Sequence, residues 1–155
     1  MSGVAVRYVD VYVLRRAGAG WEVLTLRRAP GGRCPGGWEG VHGHLEPGER
    51  PVAAALRELR EETGLEVERL YNLSRVETFY RHTTDEVALI PVFVAVVGAA
   101  AEVRLGPEHD GHAWRPLDEA ARTLLWPRSA RALEDAARLL AGGDAGPAED
   151  VLRVC

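Results

Sequence analysis

A chain of 155 residues with 46% apolar content is long enough for one domain with a real core and too short to expect two. A formal charge of −4 leaves no basic footprint of the kind that duplex nucleic acid or an anionic membrane requires. All 19 basic residues are arginine, which excludes a Walker-type phosphate loop and Schiff-base chemistry, since both need lysine.

The N-terminal run MSGVAVRYVDVYVL carries Arg7 and Asp10 and lacks the basic-then-apolar order of a signal segment. From Val4 to Leu14 it is dense in Val and Tyr, and WEVLTLRR from Trp21 alternates after the turn-rich AGAG, so the two predict a hairpin. Residues 29 to 49 hold many Gly and Pro and predict loop with at most short strands. Pro51 suits the first turn of a helix and Gly64 the position just past its end, which brackets a helix from about 50 to 63.

Strands are expected at residues 65 to 80, at 86 to 97 and near HAWRPL. The stretch VALIPVFVAVVGAAA runs 15 residues and contains Pro91, shorter than the roughly 20 that span a bilayer, and predicts a buried strand. Asp118 is the expected N-cap of DEAARTLL, and Ser129 that of a helix ending at Gly142 or Gly143. The reading is one domain over residues 1 to 142, with 143 to 155 a fraying tail. Strands, a central helix and closing helices imply an α/β or α+β sandwich on a mixed sheet. Cys34 and Cys155 are too distant to form a C-x-x-C pair and fit a reducing, cytoplasmic compartment.

The chemistry concentrates on the central helix. At 100° per residue, Val52, Ala55, Leu56, Leu59 and Thr63 gather into one apolar stripe that faces the core. Glu58, Glu61 and Glu62 share another sector, where like charges three and four residues apart repel. A solvated acidic face is the ordinary explanation of such a pattern. Arg57 and Arg60 compensate it only partly, and a hard divalent cation would relieve the remaining repulsion. Oxygen-only donors suit Mg2+ rather than Zn2+, and the glycines before the helix let backbone approach a ligand.

Gly43, Glu49, Arg57, Glu58, Leu59, Glu61, Glu62, Gly64 and Leu65 stand at the nine specified positions of a 23-residue pattern and resemble a complete Nudix box. The resemblance implies the Nudix α/β/α sandwich and hydrolysis of a nucleoside diphosphate linked to a further group, with Mg2+ or Mn2+ as cofactor. On that resemblance Glu61 and Glu62 would be metal ligands, Glu58 a ligand or the base, and the Gly43 carbonyl a further ligand. Arg57 and Glu49 would hold the glutamates in place. The identity of the base stays open, with Glu108 the candidate from outside the box, Asp110 second, and Glu102 and Glu86 behind them.

The expected partner is a small nucleoside di- or triphosphate derivative, not duplex nucleic acid or a membrane; a homodimer is left open. The segment EHDGHAWRPLDEA is similar to one in nucleoside triphosphate members of the family, and WPRSARALEDA to the closing helix of bacterial dATP and dihydroneopterin triphosphate pyrophosphatases. That likeness implies release of pyrophosphate from a (deoxy)nucleoside triphosphate-like substrate. Dinucleoside polyphosphates or nucleotide sugars are the alternative substrates, and a non-catalytic nucleotide-binding module is the alternative class.

Arg27 and Arg28 are candidates to fork onto phosphates, an ion pair with a box glutamate being equally open for Arg27. His44 and His42 flank Gly43, where a histidine could touch phosphate or carry a proton, although a loop histidine is more often merely hydrogen-bonded or solvated. Trp38, Phe79, Tyr80 and Trp126 are candidates for stacking on a base, although aromatics at such spacing usually belong to the core.

Overall fold

The fold was taken from a computed structural model that describes residues 2–155. Eight strands form one mixed sheet: β1 (Gly3–Val6), β2 (Tyr8–Ala17), β3 (Gly20–Arg28), β4 (Trp38–Glu39), β5 (Val41–His44), β6 (Arg69–Arg81), β7 (Glu86–Val96) and β8 (His109–Pro116). The spine runs β1-β7-β2-β3-β4, with β5 on β2, β6 on β7 and β8 on β3. The expected hairpin is the antiparallel pair β2–β3, but the strand breaks at Arg7. Its first piece, β1, pairs parallel with β7.

Alternation along β2 shows how the sequence builds two layers. Val9, Val11 and Val13 face helix α1 (Pro51–Thr63), whose Ala54, Ala55 and Leu59 are fully buried against them. Tyr12 and Leu14 point the other way, toward α2 (Leu117–Thr123) and α3 (Pro127–Leu139), meeting Ala120, Leu133 and Ala136. Helices therefore cover both faces, as the sandwich expectation requires. Helix α1 starts with Pro51 and stops at Gly64, which adopts φ +68° and donates its N–H to the Arg60 carbonyl.

Three local expectations are corrected. Strand β8 runs to Pro116, so α2 begins at Leu117 and Asp118 lies inside its first turn instead of capping it. Pro127 takes the first turn of α3, and Ser129, two residues inside, is buried and receives a hydrogen bond from the Tyr12 hydroxyl at 3.0 Å. The residues after 142 do not fray. A short helix α4 (Glu149–Leu152) forms, Tyr71 donates to Glu149, and the backbone of Val154 and Cys155 pairs with Leu70. That pairing occupies part of the β6 edge, which would otherwise present unpaired N–H and C=O groups.

Candidate active site

The loop after β3 returns through β4 and β5 to the start of α1 and brings Gly43 directly under Glu58. A Cβ added at Gly43 would lie 2.0 Å from Glu58 Cδ, so any larger residue here would push the Glu58 carboxyl out of its place beside Arg57. Arg57 organises the rest. Its Nε and NH2 donate to the two oxygens of Glu49 at 2.8 Å, NH1 to Glu58 at 2.8 Å and to Glu61 at 3.1 Å, and NH2 to the His44 carbonyl at 2.9 Å. This fork holds the Glu49 carboxyl down at about 2. Burial pushes Glu58 up against the pull of Arg57, with Glu61 and Glu108 adding to the rise.

Glu62 is in a different state. It is 4% exposed, and both carboxylate oxygens are buried without a hydrogen-bond partner. Burial, followed by the neighbouring Glu58, Glu108 and Glu39, pushes its carboxyl up to about 10. Glu58, Glu61, Glu62 and Glu108 line one cavity with His109. Among the described residues no group of three or more His, Cys, Asp or Glu is assembled as a metal cage. The expected glutamate trio is thus gathered around one cavity but not closed: Arg57 draws Glu58 and Glu61 into its own fork while Glu62 stays buried.

A divalent cation nevertheless fits these residues. The glutamates offer only oxygen, which suits a hard ion, and Glu62 supplies a buried carboxylate for which the protein offers no counter-charge.

A second cleft, of about 350 Å³, adjoins the first and shares Glu58 and Glu108 with it. Arg28, Arg33, Arg81 and Arg128 line it, together with His42, His44, Tyr8, Phe79 and Trp126. Of the candidate substrate residues, Arg28 and His44 reach this cleft, and so do Phe79 and Trp126. Arg27, Trp38 and Tyr80 line neither cavity. Arg27 instead pairs with Asp110 at 2.7 Å, while Trp38 packs on the α2–α3 core with the Arg115 guanidinium 4.8 Å from its ring. Asp110 is therefore engaged away from the acids, Glu86 with Arg7, and Glu102 is exposed beside Arg104.

Two buried carboxylates hold this cleft in shape, and sequence reasoning missed both. Asp10, on β2, lies 2.6 Å from His42 Nδ1 and accepts from Arg128 Nε at 2.8 Å. Glu39, on β4, accepts from Arg28 at 2.9 Å and pairs with His109 Nε2 at 2.9 Å. An aspartate inside the apolar run YVDVYV was the available signal, because a charge in a buried strand must be paired.

Burial alone would raise the Asp10 carboxyl, but the hydrogen bonds from His42 and Arg128 outweigh it and bring the net value below the ordinary one. A depressed value means stability that is present above the unfolded value near 3.9 and lost as pH falls through the folded one. Asp10→Asn is expected to lose about 2 kcal/mol at neutral pH, with the gap to the parent closing as pH drops below about 4. Urea unfolding across that range checks it, and a gap that stays constant into acid contradicts it.

The fold and site define a class, an α/β/α sandwich with a glycine loop under a glutamate-bearing helix. The profile of the NUDIX domain matches residues 5–136, and the chain belongs to this family of hydrolases. It is 32% identical over 105 residues to the rat bis(5'-nucleosyl)-tetraphosphatase (asymmetrical), covering 66% of this chain and 71% of that one. A Myxococcus xanthus protein named octanoyltransferase is 39% identical over 125 residues, or 76% of this chain, but the match spans only 33% of that protein's length. A Caenorhabditis elegans Ap4A hydrolase complex superposes with TM-score 0.74 at 24% identity, covering 89% of this chain and 99% of that one. The last comparison concerns the fold alone. Among the described residues, no helix is long and apolar enough to cross a membrane.

Proposed function

We propose that this chain hydrolyses a phosphoanhydride bond in the polyphosphate of a nucleotide, with a dinucleoside polyphosphate as the leading substrate. One observation carries the reading: an arginine-lined cleft opens directly onto a carboxylate cavity, and Glu58 and Glu108 belong to both. Arginine forks match phosphate oxygens, and a run of several phosphates needs several of them. The tetraphosphatase named among the relatives agrees with that charge pattern. A second reading, a nucleoside triphosphate-like substrate, is favoured by Trp126, which lines the cleft at the start of α3.

Glu58, Glu61, Glu62 and the Gly43 carbonyl would hold the divalent ion, Mg2+ or Mn2+. When bound, it supplies an acidified water and neutralises charge on the phosphates. Arg28, Arg33, Arg81 and Arg128 grip and orient the polyphosphate against this cavity. Arg57 fixes Glu58 and Glu61, with Glu49 anchoring the other side of its guanidinium. Glu108, at the junction of the two cavities, takes the proton from the attacking water.

Product release from diadenosine tetraphosphate, dATP, dihydroneopterin triphosphate and ADP-ribose, each with and without EDTA, separates these readings. Metal-dependent turnover of the tetraphosphate above the others is expected. Metal-dependent turnover of none would leave a binding module. Glu61 is mostly exposed, so Glu61→Gln is expected to lower turnover roughly tenfold with little change in melting temperature. A large fall in melting temperature with unaltered turnover would contradict its role.

A further inference from the structure

One residue in the wall of the carboxylate cavity, His109, carries a buried ring nitrogen that the fold leaves without a partner. His109 opens β8, and the irregular register there sets it opposite Arg28. Its side chain is wholly shielded from solvent and lines the cavity with Glu58, Glu61 and Glu62. Nε2 lies 2.9 Å from Glu39 Oε1, whereas Nδ1 is buried with no hydrogen-bond partner.

Arg28 NH1 donates to that same Glu39 oxygen at 2.9 Å. The oxygen is thus an acceptor, and Nε2 carries the ring hydrogen. In the neutral ring, Nδ1 then holds a lone pair. A lone pair sealed from water with no donor is costly, and a fold rarely leaves one without purpose. Glu62 is the second group in the same cavity whose polar atoms are buried and unpartnered. An imidazole nitrogen and a carboxylate make the same demand, and a cation meets both. A carboxylate that grips one ring nitrogen and leaves the other free is also how histidines are oriented toward metal ions.

We propose that His109 is a nitrogen ligand in this site, oriented by Glu39, and that the site therefore prefers a borderline transition ion such as Mn2+ or Co2+ over Mg2+. This rests on the reading of the glutamates as metal donors given above. Mg2+ takes oxygen ligands and gains little from an imidazole, whereas first-row transition ions bind it well. Arg28 then acts at two places, since it lines the phosphate cleft and also fixes the carboxylate that aims His109.

Pulsed EPR of the Mn2+-loaded protein, with histidine unlabelled and 15N-labelled, tests the ligand directly. A histidine nitrogen coupling is expected, lost in His109→Gln and kept in the double variant His42→Gln/His44→Gln. Glu39→Gln is expected to weaken Mn2+ binding by about tenfold to a hundredfold, and Mg2+ binding far less. Bound Mn2+ without nitrogen coupling, or coupling that persists in His109→Gln, overturns the proposal and leaves the glutamate site standing. If His109→Gln fails to fold, the double variant decides, because loss of the coupling there assigns the nitrogen to His42 or His44 and overturns it. Failure of the parent protein to bind either ion overturns this proposal and the glutamate site together.

Discussion

Glu62→Gln is expected to stabilise the metal-free protein by about 1–3 kcal/mol while lowering turnover about a hundredfold or more. The two effects share one cause. Glu62 is buried with both oxygens unpartnered, and burial holds its carboxyl near 10, so the folded chain keeps a proton that the unfolded chain releases near 4.3. Because the folded state binds more protons, stability of the EDTA-treated protein falls as pH rises from about 4 toward 10. Glutamine removes the ionisation and with it that slope.

The rise in melting temperature on adding Mg2+ or Mn2+ to the parent is expected to shrink in the same variant, since ligand binding stabilises only through affinity for the folded state. Thermal melts at several pH values, with EDTA and with metal, read all three effects. A variant that melts lower than the parent in EDTA would show that Glu62 is structural.

Arg57→Ala is expected to act on stability in the opposite sense, losing about 3 kcal/mol, while it too lowers turnover, at least tenfold. One guanidinium serves Glu49, Glu58, Glu61 and the His44 carbonyl, so its removal leaves three carboxylates and a backbone acceptor without their donor. Arg57→Lys separates geometry from charge. Lysine restores the positive charge but not the planar fork, so stability should recover in part while turnover stays low. Full recovery of turnover with lysine would show that charge alone suffices. Calorimetry beside steady-state kinetics on the tetraphosphate makes the comparison.

The helix carrying these residues was legible from sequence because its signals are local. Proline at its start, glycine at its end and glutamates at fixed spacing all lie within one turn-by-turn pattern. The two buried clamps were not legible, because Asp10 meets Arg128 across 118 residues and Glu39 meets His109 across 70. Arg128 also sits in the first turn of α3, where a cation opposes the helix dipole, and only the topology brings Asp10 beneath it.

The difference between Arg27 and Arg28 follows from strand parity. Successive side chains in β3 face opposite sides of the sheet, so Arg28 enters the cleft while Arg27 turns toward Asp110. Trp38, opposite Arg27 in the β3–β4 pairing, shares that side, which α2 and α3 cover. Deciding which arginine faced the phosphates required knowing which face α1 covers, and no single strand reveals that.

Any side chain added at Gly43 would displace the Glu58 carboxyl from the grip of Arg57. Alanine or serine at this position would disturb the reacting end of the site while leaving the backbone in place. Diversification among descendants of this chain is thereby steered elsewhere in the cleft, to a side chain such as Phe79, which lines it and is exposed. New substrate preferences would arise there, over unchanged chemistry.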